Sequence, residues 1–306
     1  MFKYIEAKSK TRQPVFITGE TGRCKELFAN AVHIVSKRKG NFVPVNAVGL
    51  DDNLFNDTLF GHIKGAFTGA NSGRKGLIEE AADGSIFLDE ICYISKLSQI
   101  KLLRLLQENE YLPEGADKYK YSKARIILAT NQNIERLVQE KEFRTDLYYR
   151  LKAHRIYIPP LRERKDDLSL LLDMFLLDTA KEIGTDTPSY KEDLLDLLRQ
   201  YSFPGNVREL KGMVYEAVIK HSEKYLSVET FTMNIKNTNL HTDIEKTKLE
   251  SLGEYFESCT TLPDIHQVTS ALINEALIRS DNNKTLAAKL LKMNRGTLRN
   301  RLDEYK

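Results

Sequence analysis

Cysteine is scarce in this 306-residue chain: Cys24, Cys92 and Cys259 stand far apart and form no CxxC pair. An odd, scattered set suggests neither a disulfide framework nor a zinc site, and it fits a reducing cytoplasm. Long hydrophobic runs are missing too. No stretch approaches the ~18 apolar residues of a spanning helix, and the opening MFKYIEAKSK lacks the apolar core of a signal peptide. The expectation is therefore a cytoplasmic protein that is neither secreted nor membrane-embedded. A surplus of one charge is also absent. The net charge of +3 names no partner, so charge has to be read locally. What is present, 41% hydrophobic and 29% charged residues, describes an ordinary globular protein. One large domain with one or two small ones is expected, because a single core stops growing near ~250 residues.

Between 15 and 161, short apolar runs (VFITG, FVPVN, SIFLDE, ARIILATN, RIYIPPL) alternate with amphipathic stretches such as KLSQIKLLRLLQ. That alternation predicts an α/β fold with a parallel sheet and crossover helices. After Pro159 and Pro160 the strand-like runs cease, and LSLLLDMFLLDTA and KEDLLDLLRQY carry Leu at helical spacing. Residues 233–262 are rich in Thr, Asn, Lys and Glu and read as a linker. The predicted organisation is an α/β domain at 1–165, a helical domain at 166–232, the linker, and a helical module at 263–306.

The strand VFIT is followed by Gly19, Glu20, Thr21, Gly22, Arg23, Cys24, Lys25 and Glu26, which look like a P-loop. In such a loop backbone amides at a helix N-terminus cradle phosphates, and Lys25 would contact the β and γ groups. Cys24 stands where the motif has its last glycine, so a Cβ is expected to strain the turn. Alone, the motif could equally be a glycine turn between strand and helix. Seventy residues on, SIFLDE ends in Asp89 and Glu90, an arrangement in which Asp holds Mg²⁺ through water and Glu polarises the attacking water. Thr130 and Asn131 end a third strand and would reach the same crevice, since parallel strands bring their C-terminal ends to one edge. Arg144 and Arg150 in EFRTDLYYRL, and Arg208 after a Pro-Gly turn, supply guanidinium groups suited to charge on a transferring phosphoryl group.

Taken in order, GETGRCKE, NAVGL, LFGHIKGAFTGA, GSIFLDEI, ATNQNI, FRTDLYYRL, IPPLRER and PGNVREL resemble the AAA+ domain of bacterial sigma-54-dependent transcription activators. The resemblance spans about 15–220 and implies a P-loop AAA+ sheet with a helical lid, binding ATP and Mg²⁺. The most specific element is GAFTGA, Gly65, Ala66, Phe67, Thr68, Gly69 and Ala70. It looks like the loop by which the family touches sigma-54 and transmits ATP-driven movement, with Phe67 and Thr68 as the contacting pair and Lys64 beside them. A blander reading makes it a surface turn with Phe67 tucked into the core. The resemblance also implies that Asn46 links Glu90 to this loop, that Arg144 and Arg150 are fingers reaching a neighbouring subunit of a ring, presumed hexameric, and that Arg208 is the sensor of the lid. Departures from the family pattern are Cys24 for glycine, Thr58 and Ile63 for acids, and Pro113 for a common arginine in the hairpin YLPEGADKYKYS. Fourteen residues precede Val15, where the family has a longer segment that helps form the adenine pocket.

From Lys284 to Leu302 there are six Lys or Arg and no Asp or Glu, a local basic patch. TLAAKLLKMNRGTLRNRL predicts two short helices around KMN, the second starting at the good N-cap Asn294. The segment resembles the Fis-type helix-turn-helix. In that arrangement Arg295, Thr297 and Arg299 are candidates for base edges, and Lys289, Lys292 and Arg301 for phosphates. Lys292 stands at the turn position where glycine is usual.

The leading expectation is thus an ATP-dependent, DNA-binding activator that remodels sigma-54 RNA polymerase at a promoter. Two others stand beside it: a catalytically impaired relative that binds DNA or a partner, and an AAA+ protein with another remodelling task in which GAFTGA is idle.

Overall fold

The computed structural model describes residues 13–49, 52–220, 225–236, 238, 264–280, 282–291 and 293–304. They fall into two compact units, 1–234 and 235–306.

The first unit is built on a five-stranded sheet of order β2-β5-β8-β1-β9, every neighbouring pair parallel. Its strands are β1 (Val15–Thr18), β2 (Phe42–Asn46), β5 (Ser85–Asp89), β8 (Arg125–Thr130) and β9 (Arg155–Tyr157). These are the five apolar runs, and the burial explains why the runs are continuous rather than alternating. Successive residues point to opposite faces. Phe16, Ile86, Leu88, Ile126 and Leu128 enter one core cluster, while Val15, Ile17, Phe87, Ile127 and Ala129 enter the other. In the strands covered on both sides, the polar residues Thr18, Ser85, Arg125 and Thr130 stand at the strand ends and the middle is apolar.

The covering helices are α1 (Lys25–Val35), α2 (Asp52–Phe60), α3 (Leu77–Glu80), α4 (Lys96–Glu108), α5 (Ile134–Gln139) and α6 (Thr145–Lys152). Helix α4 starts where Ser95 accepts a hydrogen bond from the Ser98 amide and ends at Asn109 in a left-handed conformation. Two ribbons of two-residue strands stand apart from the main sheet: β3 (Gly61–His62) pairs with β4 (Arg74–Lys75), and β6 (Glu110–Tyr111) with β7 (Lys120–Tyr121). Register brings Thr18 beside Thr130 and Asn46 beside Asp89, so the C-terminal ends of four strands meet at one edge.

After Pro160 the chain is helical, with α7 (Leu168–Ile183), α8 (Glu192–Gln200) and α9 (Asn206–Ile219). Their buried faces carry Leu172, Phe175, Leu176, Leu198, Leu210 and Val214. Residues 228–236 are helical as well, so helix continues past the boundary drawn at 232 from composition. Most of the remaining linker assignment lies outside the described residues, as do Cys259 and Lys292.

The second unit holds α10 (Ile265–Arg279), α11 (Lys284–Leu290) and α12 (Arg295–Glu304) around Ile273, Ala276, Ala287, Ala288 and Leu298. Both short helices begin on asparagine. Asn283 accepts from the amides of Thr285 and Leu286, and Asn294 from the amide of Thr297 at 2.7 Å. Among the described residues no helix is long and apolar enough to cross a membrane.

Leu128 is fully buried on the strand between β5 and β1. Leu128→Ala should destabilise the first unit by about 2–5 kcal/mol, read as a lower urea midpoint at unchanged slope in unfolding of the full chain.

Candidate nucleotide site and its lid

The loop from Gly19 to Cys24 leaves β1 and delivers Lys25 to the start of α1. Two left-handed residues turn it, Gly22 at φ 79° and Cys24 at φ 59°. The first must be glycine on contact grounds too, because an added Cβ would lie 2.2 Å from the Gly205 carbonyl oxygen. At Cys24 the expected strain is present in the backbone, a conformation that costs a residue with a Cβ roughly 1–2 kcal/mol. Burial raises the Cys24 thiol pKa above its ordinary value, with Arg164 and Arg208 opposing it, so the group is a neutral thiol at pH 7.

Lys25 is buried, and its Nζ donates to Glu90 Oε1 at 3.1 Å. The other oxygen, Oε2, accepts from the Asn131 amide at 3.1 Å. Glu90 itself is left-handed, at φ 55° and ψ 44°, and its amide is held by Asp89 Oδ1 at 2.9 Å. The Asn131 side chain crosses to the phosphate loop and donates to Thr21 Oγ1 at 3.0 Å. Thr130 is fully buried, and its hydroxyl accepts from the Gln132 amide. Lys25, Asp89, Glu90, Thr130, Asn131 and Thr21 are thus gathered at one edge. Glu26 is exposed on the outer side of α1.

Three assigned residues are engaged elsewhere. Asn46 stands beside Asp89 in the sheet, but its Oδ1 accepts from the Val48 amide, so the inferred link to Glu90 is not made in this conformation. Arg144 forms a two-point pair with Asp146 at 3.0 and 2.7 Å, and Arg150 donates to the Leu106 carbonyl at 3.0 and 3.3 Å. Both arginines have partners within their own chain.

Sequence reading missed the joint between phosphate loop and lid. The Glu20 carboxylate accepts from Arg162 at 2.7 and 2.9 Å, from Arg23 at 2.6 Å and from Asn206 at 3.1 Å. Asn206 is fully buried and left-handed at φ 53°, which asparagine tolerates. It donates also to the Thr21 carbonyl and accepts from the Leu161 amide. Arg208, exposed in the first turn of α9, meets the loop through its backbone, its amide donating to the Gly22 carbonyl at 3.3 Å. Both IPPLRER and PGNVREL were conspicuous in the sequence, but a contact between residues so far apart in the chain has no local signature.

GAFTGA forms a tight turn closed by Gly65 N–H to the Ala70 carbonyl at 2.9 Å, with Gly65 and Gly69 both at positive φ. Phe67 is 48% exposed, which excludes the reading that tucks it into the core, and its ring meets His62 edge-on at 5.0 Å. His62 bonds to Asp57 and to the Ser72 carbonyl, and Asp57 also pairs with Arg74 at 2.8 Å, bracing the base of the turn. The second hairpin grips this base through its backbone, Ile63 N–H to the Glu114 carbonyl and Glu114 N–H to the Gly61 carbonyl. That grip does not depend on side chains, so Pro113 leaves it intact. A cavity of about 990 Å³ lies between the two loops, bordered by Phe60, Ala66, Phe67 and Pro113.

On α12, Thr297, Arg299 and Arg301 are exposed, as is Lys289 on α11. The Thr297 hydroxyl also donates to Asn294 Oδ1 at 2.9 Å, so its proton is engaged by the helix cap. Arg295 opens α12.

The arginine contacts hold the Glu20 pKa down at about 2, against an ordinary 4.5. A depressed carboxylate contributes stability above its unfolded pKa and loses it as pH falls through its folded one. The melting temperature should therefore fall between pH 4.5 and about 2. Glu20→Gln should show a smaller fall over that window while melting lower than wild type at pH 7.

Comparison with known proteins places these features. A family model of the Sigma-54 interaction domain matches residues 1–157, one of the AAA+ ATPase lid domain matches 162–248, and one of the Fis family of bacterial regulatory proteins matches 266–305. Regulatory protein AtoC of Escherichia coli is 38% identical over 292 residues, covering 95% of this chain and 62% of AtoC. The DNA-binding transcriptional regulator NtrC of Rhizobium meliloti is 34% identical over 325 residues, covering 99% of this chain and 67% of NtrC. Among solved structures, NtrX of Brucella abortus in complex with ATP superposes with a TM-score of 0.68 at 26% identity, covering 99% of this chain and 66% of NtrX. The chain thus spans about three-fifths to two-thirds of the length of these relatives. With the sigma-54 interaction domain, the lid and the Fis-family match following one another along it, the chain belongs to the sigma-54-dependent transcriptional activator family.

Proposed function

We propose that the chain is an ATP-driven remodeller that binds DNA and acts on sigma-54 RNA polymerase to promote an open promoter complex. The observation that carries this reading is the contact of Lys25 with Glu90 beside Asp89 and Asn131, at the N-terminus of α1. These residues fit Mg²⁺ and ATP. A buried ammonium, a helix N-terminus and turning amides suit a polyphosphate. Asp89 is the residue that would hold Mg²⁺ through water, and the crystallisation of NtrX with ATP supports nucleotide as the ligand.

When bound, ATP and Mg²⁺ supply the phosphoryl group and the charge that neutralises it. The chain's residues do the rest. Lys25 turns from Glu90 to the β and γ phosphates, leaving Glu90 to orient and polarise a water. Asn131 reports on the same carboxylate through its amide. Arg144 and Arg150 exchange their internal partners for the nucleotide of a neighbouring copy in a ring, taken here as a hexamer. Movement reaches the GAFTGA turn through α2 and α4, which are tied by Ser98 Oγ to Asp52 at 2.7 Å. Gly65 to Ala70 present Phe67 and Thr68 to sigma-54, and α12 carries Arg295, Thr297 and Arg299 to the major groove. A cytoplasmic location follows from that task.

Catalysis by arginines supplied in trans requires assembly. ATP turnover per chain should rise with protein concentration, and Arg150→Ala should lower it at least about 10³-fold at concentrations where rings form. Assembled rings without turnover would favour the impaired relative instead, for which the left-handed Cys24 is the structural motive.

A further inference from the structure

The neck of the GAFTGA turn is held by a side chain whose two bonds need a proton. The chain enters the turn after His62, at the end of β3, and comes back through Ser72 to Arg74 on β4. The His62 ring stands across this neck. Its Nδ1 lies 2.5 Å from Asp57 Oδ1, and its Nε2 lies 2.9 Å from the Ser72 carbonyl oxygen. A carboxylate and a carbonyl only accept, so both ring nitrogens must donate, and only the imidazolium has two N–H groups. The charged ring therefore ties one arm of the neck to the other and both to α2. Its side chain is 11% exposed, and Phe67 at the tip packs on it edge-on at 5.0 Å.

The charges around the ring come from four elements. On α2, Asp57 gives one oxygen to His62 and the other to Arg74 of β4, at 2.8 Å, so one carboxylate serves two cations. From the second hairpin, Glu114 bridges to His62 through the backbone, and its carboxylate faces Lys101 of α4 at 3.9 Å. Lys64 is exposed on the turn. The hydrogen bond to Asp57 raises the His62 pKa above its ordinary 6.5; burial and Arg74 oppose it, and the Ser72 carbonyl adds to it.

Loss of the proton does not affect the two bonds equally. A neutral imidazole has one N–H and one lone pair. The N–H stays on Nδ1, because a hydrogen bond to an ionised carboxylate is stronger than one to a carbonyl. Nε2 then turns its lone pair on the Ser72 oxygen, and the tie across the neck becomes a repulsion.

We propose that His62 is a proton-operated clasp on the GAFTGA turn, fixing the neck below Phe67 and Thr68 when charged and releasing the Ser72 arm when neutral. The clasp is closed at low pH and opens as pH rises through a value above 6.5. That this tip meets sigma-54 rests on the function proposed above, whereas the clasp does not. It is therefore tested without nucleotide or sigma-54, so that either idea can fail alone.

The test is hydrogen–deuterium exchange of the full chain from about pH 6 to about pH 9, each rate divided by the intrinsic rate of an unstructured amide at that pH, as wild type, His62→Asn and Asp57→Asn. The Gly65 and Ala70 amides are both hydrogen-bonded within the turn. Their protection in the wild type is expected to fall at least about fivefold over this range, while the amides of β8 hold theirs and report an intact sheet. Asparagine at 62 keeps one donor and does not titrate, so turn protection in His62→Asn should be independent of pH and as low as the wild type reaches at the alkaline end. Asp57→Asn removes the carboxylate that retains the proton and should move the transition to lower pH, a displacement that a purely structural role would not produce. Wild-type turn protection that does not change with pH overturns the proposal, as does a transition that persists in His62→Asn or one that Asp57→Asn leaves in place.

Discussion

The ion pair between Lys25 and Glu90 is the interaction on which the rest of the site depends. Both side chains are largely buried, 6% and 13% exposed, so neither charge has water enough to stand alone. Removing one partner of such a pair leaves an uncompensated charge, whereas exchanging it for another anion does not. On the proposed reading a polyphosphate is that anion. On that reading the pair makes ligand binding and the release of Glu90 a single exchange. Glu90 is held in a left-handed backbone and by the Asn131 amide, so its release can be felt both in its own turn and on β8. Strain held at one residue by a rigid sheet is what the proposed two-position switch would draw on.

On the proposed reading two features would carry that switch outward. Toward the lid, Glu20 gathers Arg23, Arg162 and Asn206 on one carboxylate. Toward the partner, the GAFTGA turn rests on His62, Asp57 and Arg74 and is gripped by the backbone of the second hairpin. The turn itself has little side-chain bulk and two positive-φ glycines, while its phenylalanine stands out toward solvent. A braced base under a tip of small residues suits the proposed role of a loop that carries Phe67 and Thr68 to another protein.

The main sheet was legible in the sequence because strands buried on both faces must be continuous apolar runs, and all five runs became strands. Lys25, Asp89, Glu90 and Asn131 were legible because a P-loop and parallel topology together bring them to one edge. Ribbon β3–β4 was not, since two-residue strands have no periodicity to read, and β6–β7 was expected only as the hairpin that the family resemblance implies. The Glu20 joint was hidden for a different reason: Arg162 and Asn206 look like any surface arginine and turn asparagine until the lid packs against the loop. Asn46 shows the limit of carrying a role over by motif. Its place beside Asp89 follows from the sheet, but its side chain chooses the nearby Val48 amide. Thr297, read only as a base contact, also donates its hydroxyl to the capping side chain of Asn294.

The central claim is that Glu90 and the phosphates compete for Lys25. The most direct measurement is the equilibrium affinity of the full chain for ATP with Glu90 intact and as Glu90→Gln, each with Mg²⁺ and at a protein concentration below assembly. Competition predicts severalfold tighter binding in Glu90→Gln, because the amide no longer holds the ammonium. Equal or weaker binding would contradict the account and make the Lys25–Glu90 contact a bystander.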